Sequence, residues 1–365
     1  MRKSNDPLFR LLYWISIGLT VFLAVITIVA AFAVRVSPTD SQWIPLLGFG
    51  LPILLFANVA ACIYWLIRWR CYLWISLLAV VCNYSYIAAM YQYPWHRGEL
   101  AHNEKTLKLM TFNVGRFAKD NSGMAQRKLP FFMYENRVDI LCMQEFAEIG
   151  NYNADSLKTL FAQWPYVAIP KPEDKTPILP LAVFSRYPIL NYELITYPET
   201  PNCSMWFDVD FNGTTIRIFS NHLQTTNVNQ SRRQYEKYYQ SANSLDANLS
   251  FAEGTLALWH SNDIRRAAQA NMIHDLVLKS PHPVIVCGDL NSTPSSYVYG
   301  RMKGDLKDGF KTAGHGYAGT YRYAKGLMRI DYIFHSPALR PVDYYSTDMD
   351  LNSDHNPVLM ELDVR

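Results

Sequence analysis

The stretch PVIVCGDLN, from Pro283 to Asn291, joins a short apolar run to a Gly, an Asp and an Asn. An apolar run that ends in turn-forming residues predicts a buried strand followed by a loop. Because residues i and i+2 of an extended chain point to the same side, Asp289 and Asn291 are expected to project together beyond the strand end. Two interpretations are open: an ordinary turn, or a pair of side chains that holds a water molecule or a hard cation.

Seven further segments in the last two thirds of the chain have the apolar or alternating pattern of β-strands. They are Thr106–Val114, Asp139–Phe146, Leu179–Ile189, Cys203–Phe211, Thr214–Leu223, Arg329–Ser336 and Asn356–Val364. Helices are predicted over Gln126–Arg137, Ser231–Ala247 and Asn262–Lys279, and Asn212-Gly213 indicates a hairpin turn. Strands with interspersed helices predict an α/β fold of two packed sheets covered by helices.

Carboxylate, amide and imidazole side chains recur where these strands end. They are Asn113, Gln144, Glu145, Asn221, His222, Asp289, Asn291, Asp331, Asp354 and His355. Each one alone has an ordinary structural explanation as a cap, an edge residue, a turn residue or a core histidine. Together they predict a single pocket rimmed with the groups that a metal-assisted hydrolase needs.

The motifs TFNV, MQE, NHL, GDLN, RIDYIF and SDHNPV follow one another in this order over nearly all of residues 106–364. Their order and spacing resemble the endonuclease/exonuclease/phosphatase superfamily, whose fold is DNase I-like. The resemblance implies a four-layer α/β/β/α sandwich over residues 106–365, with the site at one end. It also implies hydrolysis of a phosphoester assisted by Mg²⁺ or Mn²⁺.

The resemblance gives roles to the residues of these motifs. Glu145 and Asn113 are expected to supply oxygen ligands to the cation. Asp289 is expected to orient or deprotonate the attacking water, and Asn291 to hold that water or a phosphate oxygen. Asp354 is expected either to be a further metal ligand or to polarise the adjacent histidine.

Two histidines complete the set that the resemblance implies. His222 and His355 are expected to donate hydrogen bonds to the phosphoryl oxygens as negative charge accumulates on them. Asp331 is expected to orient His222 or the leaving group. Arg266, on the predicted helix Asn262–Lys279, is expected to bind substrate. Whether one or two metal ions act is left open.

The first 95 residues have the composition of a membrane anchor. Three uncharged runs, Leu11–Val34, Trp43–Ile67 and Cys71–Tyr91, contain 24, 25 and 21 residues, and each is long enough to cross a bilayer. Three transmembrane helices are therefore predicted within residues 1–95, followed by a polar connector, residues 96–105. A cleaved signal peptide and a soluble helical bundle fit less well, because the first run is too long and has no polar face. Pro45, Pro52, Asn58 and Asn83, which interrupt the runs, are expected to face neighbouring helices.

The distribution of basic residues favours one orientation of this anchor. Five Lys or Arg residues precede the first run or lie in the link between the second and third, against four on the other side. This difference predicts a cytoplasmic N-terminus and, after three crossings, a catalytic domain outside the cytoplasm. The scattered cysteines are interpreted as small core residues rather than disulfides.

From Leu100 onward the chain has 27 Lys plus Arg and 28 Asp plus Glu, a net charge of −1. A protein that grips long duplex DNA usually carries a basic surplus, which is lacking here. The sequence thus favours a membrane-anchored phosphodiesterase or phosphatase acting on a lipid headgroup or small phosphoester. The alternative is a membrane-anchored nuclease, and an inactive binding module is the least favoured. The segment RRQYEKYYQ, within residues 224–264, is interpreted either as a lid or as a solvated helix, and no obligate protein partner is evident.

Overall fold

The computed structural model describes residues 7–93, 105–119, 123–146, 154–226, 245–323, 326–349, 351 and 353–364. Residues 96–104 of the predicted connector and the segment RRQYEKYYQ lie outside the described residues. The chain forms two compact units. The first contains Met1–Ala88 and Pro294–Gly300, and the second contains Ala89–Thr293 and Arg301–Arg365.

The apolar N-terminal region is helical. Its helices are α1 (Pro7–Ala30), α2 (Trp43–Phe49), α3 (Leu51–Ile67), α4 (Leu73–Cys82) and α5 (Tyr84–Met90). Among the described helices, α1 alone is long and apolar enough to cross a membrane. The pairs α2/α3 and α4/α5 are bent by 64° and 61°, so the count rises to three if each bent pair is one span.

The second and third predicted spans are therefore broken helices rather than continuous ones. Pro52 lies in the first turn of α3, where its missing N–H cannot continue the hydrogen bonding of α2. It is exposed, which corrects the expectation that it faces a neighbouring helix, whereas Pro45 is buried. Asn83 interrupts the third predicted span, and its side chain donates to the carbonyls of Thr27 and Ala79.

The helices of this unit pack through small and polar residues. Asn58 Nδ2 donates to Thr27 Oγ1 at 2.8 Å, and Trp65 Nε1 donates to Thr20 Oγ1 at 2.9 Å. The expectation that Asn58 and Asn83 face neighbouring helices is confirmed, because both are buried. Large apolar side chains of the same helices are instead exposed, among them Leu12, Phe22, Phe56, Leu66 and Leu78.

The second unit contains two sheets, as the sequence predicted, and each has six strands. In spatial order, sheet one contains β13 (Arg340–Ser346), β14 (Val358–Asp363), β2 (Thr106–Asn113), β3 (Ile140–Gln144), β5 (Ala182–Ser185) and β4 (Tyr166–Ala168). Sheet two contains β10 (Lys307–Asp308), β12 (Asp331–His335), β9 (Val284–Asp289), β8 (Thr214–His222), β7 (Cys203–Phe211) and β6 (Ile189–Thr196). A separate ribbon pairs β1 (Tyr91–Gln92) with β11 (Gly316–Tyr317).

The two sheets face each other across an apolar core. Leu109 and Ile140 of sheet one belong to the same buried cluster as Phe207 and Ile218 of sheet two. Helices α6 (Met124–Glu135) and α7 (Ala154–Leu160) cover the other face of sheet one. The remaining helices are α8 (Leu245–Leu278), α9 (Tyr297–Lys303) and α10 (Gly309–Ala313).

Two local expectations are corrected. The predicted strand Leu179–Ile189 is two strands, because the chain leaves sheet one after Ser185 and enters sheet two at Ile189. Pro188, which has no N–H to donate to a sheet, lies in this crossing. The predicted helix Asn262–Lys279 is the last part of the 34-residue helix α8. The hairpin turn is confirmed, with φ of 51° at Asn212 and 87° at Gly213.

Candidate active site

Three of the predicted site residues form a row across sheet two. His222 of β8 pairs in register with Asp289 of the parallel strand β9, and Asp289 pairs with Asp331 of the antiparallel strand β12. Gly288 permits this close pairing, because a Cβ at its position, where φ is 122°, would overlap the backbone of Asn221. The register alone brings one imidazole and two carboxylates to the same edge of the sheet.

Asp289 is the centre of the site. Its Oδ2 accepts a hydrogen bond from Asn113 Nδ2 at 3.0 Å, and its Oδ1 accepts from the backbone N–H of Asn291 at 2.8 Å. Asn291 Nδ2 donates to the carbonyl of Leu223 at 2.9 Å. The turn and the site are therefore the same structure: Asn291 lies in the left-handed region, with φ of 49°, and its N–H closes the turn on Asp289.

His355 reaches the row from sheet one, where it precedes β14. Its Nδ1 lies 2.9 Å from Asp331 Oδ2, and its Nε2 lies 3.6 Å from Asp289 Oδ2. Asp331 contacts His355 rather than His222, because β9 lies between the strands that carry Asp331 and His222. Its alternative role, to orient the leaving group, stays a prediction. Asp354 is 3.9 Å from His355 Nε2, so the carboxylate that contacts His355 closely is that of Asp331.

Asn113 and Glu145 bring two more polar side chains to the site from the ends of β2 and β3. Asn113 Oδ1 accepts from the N–H of Gly115 at 3.0 Å, so the amide turns its nitrogen toward Asp289. The side chain of Asn113 also forms a hydrogen bond with Glu145. Asn113 therefore presents a donor to Asp289, and its role as a metal ligand stays a prediction.

His222 is fully buried, and neither of its ring nitrogens has a hydrogen-bond partner among the described residues. Its Nε2 lies 3.7 Å from Glu145 Oε1 and 3.8 Å from Asp289 Oδ2, which is too long for a hydrogen bond. A buried imidazole rarely forgoes both of its hydrogen bonds. The space between His222, Glu145 and Asp289 is therefore suited to a polar guest such as water, a phosphoryl oxygen or a cation.

Burial and neighbouring charges shift the pKa values in this cluster. Burial is the largest influence on Asp289, and together with the Asp331 carboxylate it outweighs the two histidines and raises the pKa of Asp289 to about 6. Burial by itself lowers the pKa of His355, but Asp331, Asp289 and Asp354 together outweigh it and raise that pKa to about 10. Near neutral pH, His355 is thus a cation and Asp289 a carboxylate that takes up a proton easily.

The pKa values of Glu145 and His222 are shifted as well. Burial raises the pKa of Glu145, the hydrogen bond from Asn113 opposes this change, and the like charge of Asp354 adds to it. Burial lowers the pKa of His222, so its imidazole stays neutral and has one N–H to donate. Glu145 also has a backbone φ of 51°, which is uncommon for a residue with a side chain. Such conformations often occur at functional sites.

Arg266 is buried in α8 and bonds the loop that follows β8. Its guanidinium donates to the carbonyl of Gln224 at 3.0 Å and to Thr226 Oγ1 at 3.2 Å, and it pairs with Asp263 at 3.2 Å. Its predicted role in binding substrate stays a prediction. Its guanidinium contacts this loop and its own helix.

Two residues of the site's surroundings were missed by sequence reasoning. Ser353 Oγ donates to the carbonyl of Asn113 at 2.7 Å and accepts from the N–H of His355 at 3.0 Å, which ties the end of β2 to the segment before β14 of the same sheet. Thr320 Oγ1 accepts from the N–H of Asp331 at 3.2 Å. Ser353 lies inside the SDHNPV motif, which was a usable signal, whereas nothing in the sequence around Thr320 marks it.

The second unit thus combines a two-sheet α/β fold with a cluster of carboxylates, amides and histidines at one edge of its sheets. The model of the Endonuclease/Exonuclease/phosphatase family matches residues 110–355, and the chain belongs to this family. A model of a domain of unknown function, DUF8431, matches residues 10–90. No curated protein sequence matches the chain.

Solved structures are similar in fold. The endonuclease/exonuclease/phosphatase from Beutenbergia cavernae is 18% identical, with a TM-score of 0.51 and coverage of 71% of this chain and 72% of that one. The endonuclease/exonuclease/phosphatase from Bacteroides vulgatus is 18% identical, with a TM-score of 0.50 and coverage of 71% and 99%. D. rerio TDP2 complexed with single strand DNA product is 17% identical, with a TM-score of 0.49 and coverage of 70% and 98%. At these identities the likeness concerns the fold alone.

Proposed function

We propose that this protein is a membrane-anchored, divalent-metal-dependent phosphodiesterase or phosphatase that acts on a lipid headgroup or another small phosphoester. One observation carries the proposal. The buried carboxylate of Asp289 lies within 4 Å of two histidines and accepts hydrogen bonds from Asn113 and Asn291. Hydrolysis of a phosphoester needs a base beside the attacking water and hydrogen-bond donors beside the phosphoryl oxygens, and this cluster contains both.

Hydrolysis joins the oxygen of water to phosphorus and breaks one ester P–O bond. In our proposal Asp289 takes one proton from the attacking water, since a base whose pKa is about 6 accepts a proton readily near neutral pH and returns it to solvent. Asn291 holds the water beside Asp289. The leaving oxygen takes its proton from solvent water, so the atoms and charges balance.

The two histidines stabilise the phosphoryl group in this proposal. His355, kept protonated by the carboxylates around it, donates from Nε2, because Nδ1 is held by Asp331. His222 donates from its neutral ring, whose nitrogens have no other partner among the described residues. Preorganised donors of this kind stabilise charge that develops on phosphoryl oxygens.

A divalent cation fits the rim of the site better than its centre. Asp289, Asp331 and His355 lie close enough to share an ion, but all three are buried and already bonded to one another or to neighbours. Glu145 and Asp354 are 24% and 34% exposed, and their like charges are close enough for Asp354 to raise the pKa of Glu145. We assign the cation, Mg²⁺ or Mn²⁺, to Glu145 and Asp354, with Asn113 holding Glu145. When bound, it neutralises charge on the phosphate.

The packing of the first unit supports the proposal that it is a membrane anchor. Its buried residues include hydroxyl, amide and indole groups bonded to each other, while many of its large apolar side chains, Leu, Phe and Ile among them, are exposed. This distribution of polar and apolar groups is the inverse of that in a water-soluble protein. It suits a lipid environment, where polar groups lie between the helices. We infer three crossings, in which α1 and each of the bent pairs is one span, and a catalytic unit outside the cytoplasm.

One observation favours the nuclease alternative. The Tyr323 ring is 75% exposed and lies 6.0 Å from the Tyr321 ring, which in turn lies 5.3 Å from the imidazole of His355. Exposed aromatic rings beside a phosphoester site provide stacking surfaces for unpaired bases. The net charge of −1 from Leu100 onward still argues against long duplexes, so single strands are the nucleic-acid substrate to test.

The deciding experiment compares substrates on one preparation of the full-length protein. Sphingomyelin-type lipids, inositol phosphates, plasmid DNA and a single-stranded oligonucleotide are each incubated with Mg²⁺ or Mn²⁺, beside the Asp289→Asn variant as the blank. We expect turnover of a lipid or small phosphoester that the variant lacks. Turnover of the nucleic acids alone favours the nuclease, and no turnover of any phosphoester refutes the proposed function.

A further inference from the structure

We propose that Thr320 is a positioning residue for the Asp331–His355 pair, an inference that rests on the function proposed above. Thr320 belongs to the segment Gly316–Arg322, called here the strap. The strap contains no residue of the predicted site. Its backbone and side chains nevertheless hold three of them.

The hydroxyl of Thr320 fixes the start of β12. Its Oγ1 accepts from the N–H groups of Ile330 at 3.1 Å and Asp331 at 3.2 Å. The backbone of Thr320 is fixed as well, because its N–H donates to Met328 at 2.9 Å and its carbonyl accepts from Asn356 at 2.8 Å. Thr320 therefore bonds Asp331 and also Asn356, the residue next to His355. In this way it sets the distance between Asp331 and His355.

The next two residues of the strap hold the other side of the site. Tyr321 forms a β-bridge with His355 and packs its ring against the imidazole at 5.3 Å in an edge-on arrangement. Arg322 donates from its backbone N–H to the carbonyl of Asp354 at 2.8 Å, and from its guanidinium to the carbonyl of Ser353 at 3.2 Å. Thr320, Tyr321 and Arg322 thus contact Asn356, His355 and Asp354, which are consecutive in the chain as well.

The opposite end of the strap is anchored to Met90, the last residue of α5, and to β1, which follows it. Gly316 and Tyr317 pair with β1, and the N–H of Ala318 donates to the carbonyl of Met90 at 3.0 Å. Because the strap is fixed at both ends, Thr320 has little freedom to move. A catalytic pair that is held in place before substrate arrives loses less entropy on binding it.

The critical variant is Thr320→Val, which keeps the shape but leaves the N–H groups of Ile330 and Asp331 without their acceptor. We expect kcat to fall about 10- to 100-fold with KM within about twofold, since Asp331 and His355 would lose their spacing. Thr320→Ser restores the hydroxyl and should recover most of kcat. If the Val variant does not fold, Thr320→Cys, whose thiol is a weak acceptor, takes its place.

A matched control separates positioning from stability. Thr312 of α10 is half-buried, and its hydroxyl donates to backbone carbonyls of Asp308 and Gly309. Thr312→Val should lower the melting temperature as much as Thr320→Val and leave kcat unchanged. Equal losses of kcat in Thr320→Val and Thr320→Ser, or in Thr320→Val and Thr312→Val, would overturn the proposal.

A second readout does not depend on activity. In protein labelled with ¹⁵N-histidine, the proton shared by His355 Nδ1 and Asp331 should give a slowly exchanging signal, assigned by its loss in His355→Gln. We expect the signal to exchange rapidly in Thr320→Val and slowly in Thr320→Ser. If the wild type hydrolyses no phosphoester, the proposed function fails while this measurement still tests Thr320. An unchanged signal in Thr320→Val refutes the positioning role.

Discussion

Nδ1 of His355 lies 2.9 Å from Oδ2 of Asp331, although the two residues come from different sheets. Asp331 begins β12 of sheet two, and His355 precedes β14 of sheet one. The contact therefore exists only when the two sheets are packed face to face. It is the most direct link between the fold of the second unit and the chemistry that we propose for it.

The Asp331–His355 contact predicts a large effect of a small change. Asp331→Asn keeps the shape but removes the charge that helps to hold His355 protonated, so we expect kcat to fall about 10²- to 10³-fold. The measurement is kcat with the best phosphoester substrate, and the control is Asp305→Asn, which changes an exposed aspartate. A rate within about twofold of the wild type would show that Asp331 does not act through His355.

Asp289→Asn tests the general base. The amide cannot take a proton from water, so we expect kcat to fall about 10²- to 10⁴-fold, the usual range for losing such assistance. The turn at Asn291 needs only an acceptor at this position, which the amide oxygen supplies. A normal rate would return Gly288–Asn291 to the interpretation of an ordinary turn.

The same variant predicts a dependence of stability on pH. The pKa of Asp289 is raised from 3.8 to about 6 on folding, so ionisation of this carboxyl opposes folding. Its contribution to stability is therefore greatest below about pH 4, is lost as the pH rises toward 6, and stays lost above. In chelator, the stability of Asp289→Asn relative to the wild type should therefore increase between pH 4 and pH 7. The expected change in the free energy of unfolding is on the order of 3 kcal/mol, and it appears as a rise in the relative melting temperature.

Thermal melts across this pH range provide the measurement. The loss of hydrogen-bond geometry in the variant is the same at every pH, so only the slope of the difference reports the charge. Asp305→Asn should follow the wild type throughout. A difference that is flat from pH 4 to pH 7 would contradict the raised pKa.

The assignment of the cation to Glu145 and Asp354 predicts a binding effect as well as a kinetic one. Chelator should abolish turnover and Mg²⁺ or Mn²⁺ should restore it. Added Mg²⁺ should also stabilise the fold, by about 2.7 kcal/mol at 100 times its dissociation constant. Glu145→Gln should lose most of this stabilisation, whereas Glu193→Gln, in β6, should keep it. Full activity in chelator would refute the metal-dependent mechanism.

The topology that we propose predicts that Cys71 and the catalytic unit lie on opposite sides of the membrane. In a variant whose only cysteine is Cys71, which is exposed, a membrane-impermeant maleimide should react only after the cells are permeabilised. A variant whose only cysteine is introduced as Asp305→Cys should react in intact spheroplasts. Labelling of both sites from the same side would mean that α4 and α5 together do not cross the bilayer.

Most residues of the candidate site could be selected from the sequence, because they follow apolar strands. Asp289 and Asn291 end a strand whose hydrophobicity is evident, and the order of the six motifs identified the family that the match to residues 110–355 supports. The two-sheet fold followed from the same alternation of apolar residues. The breaks at Pro52 and Asn83 were visible as residues, but their bends of 64° and 61° were not.

The sequence by itself determined which side chains stand at strand ends, because strand periodicity and turn chemistry are local properties. Tertiary structure decided which of them meet. Strand order separates Asp331 from His222, the packing of the two sheets brings Asp331 to His355, and the bond from Gly115 turns the Asn113 amide toward Asp289. Thr320 was undetectable for the same reason, since its hydroxyl bonds residues ten and eleven positions away. Such contacts depend on how the chain folds back on itself, which no local pattern of residues encodes.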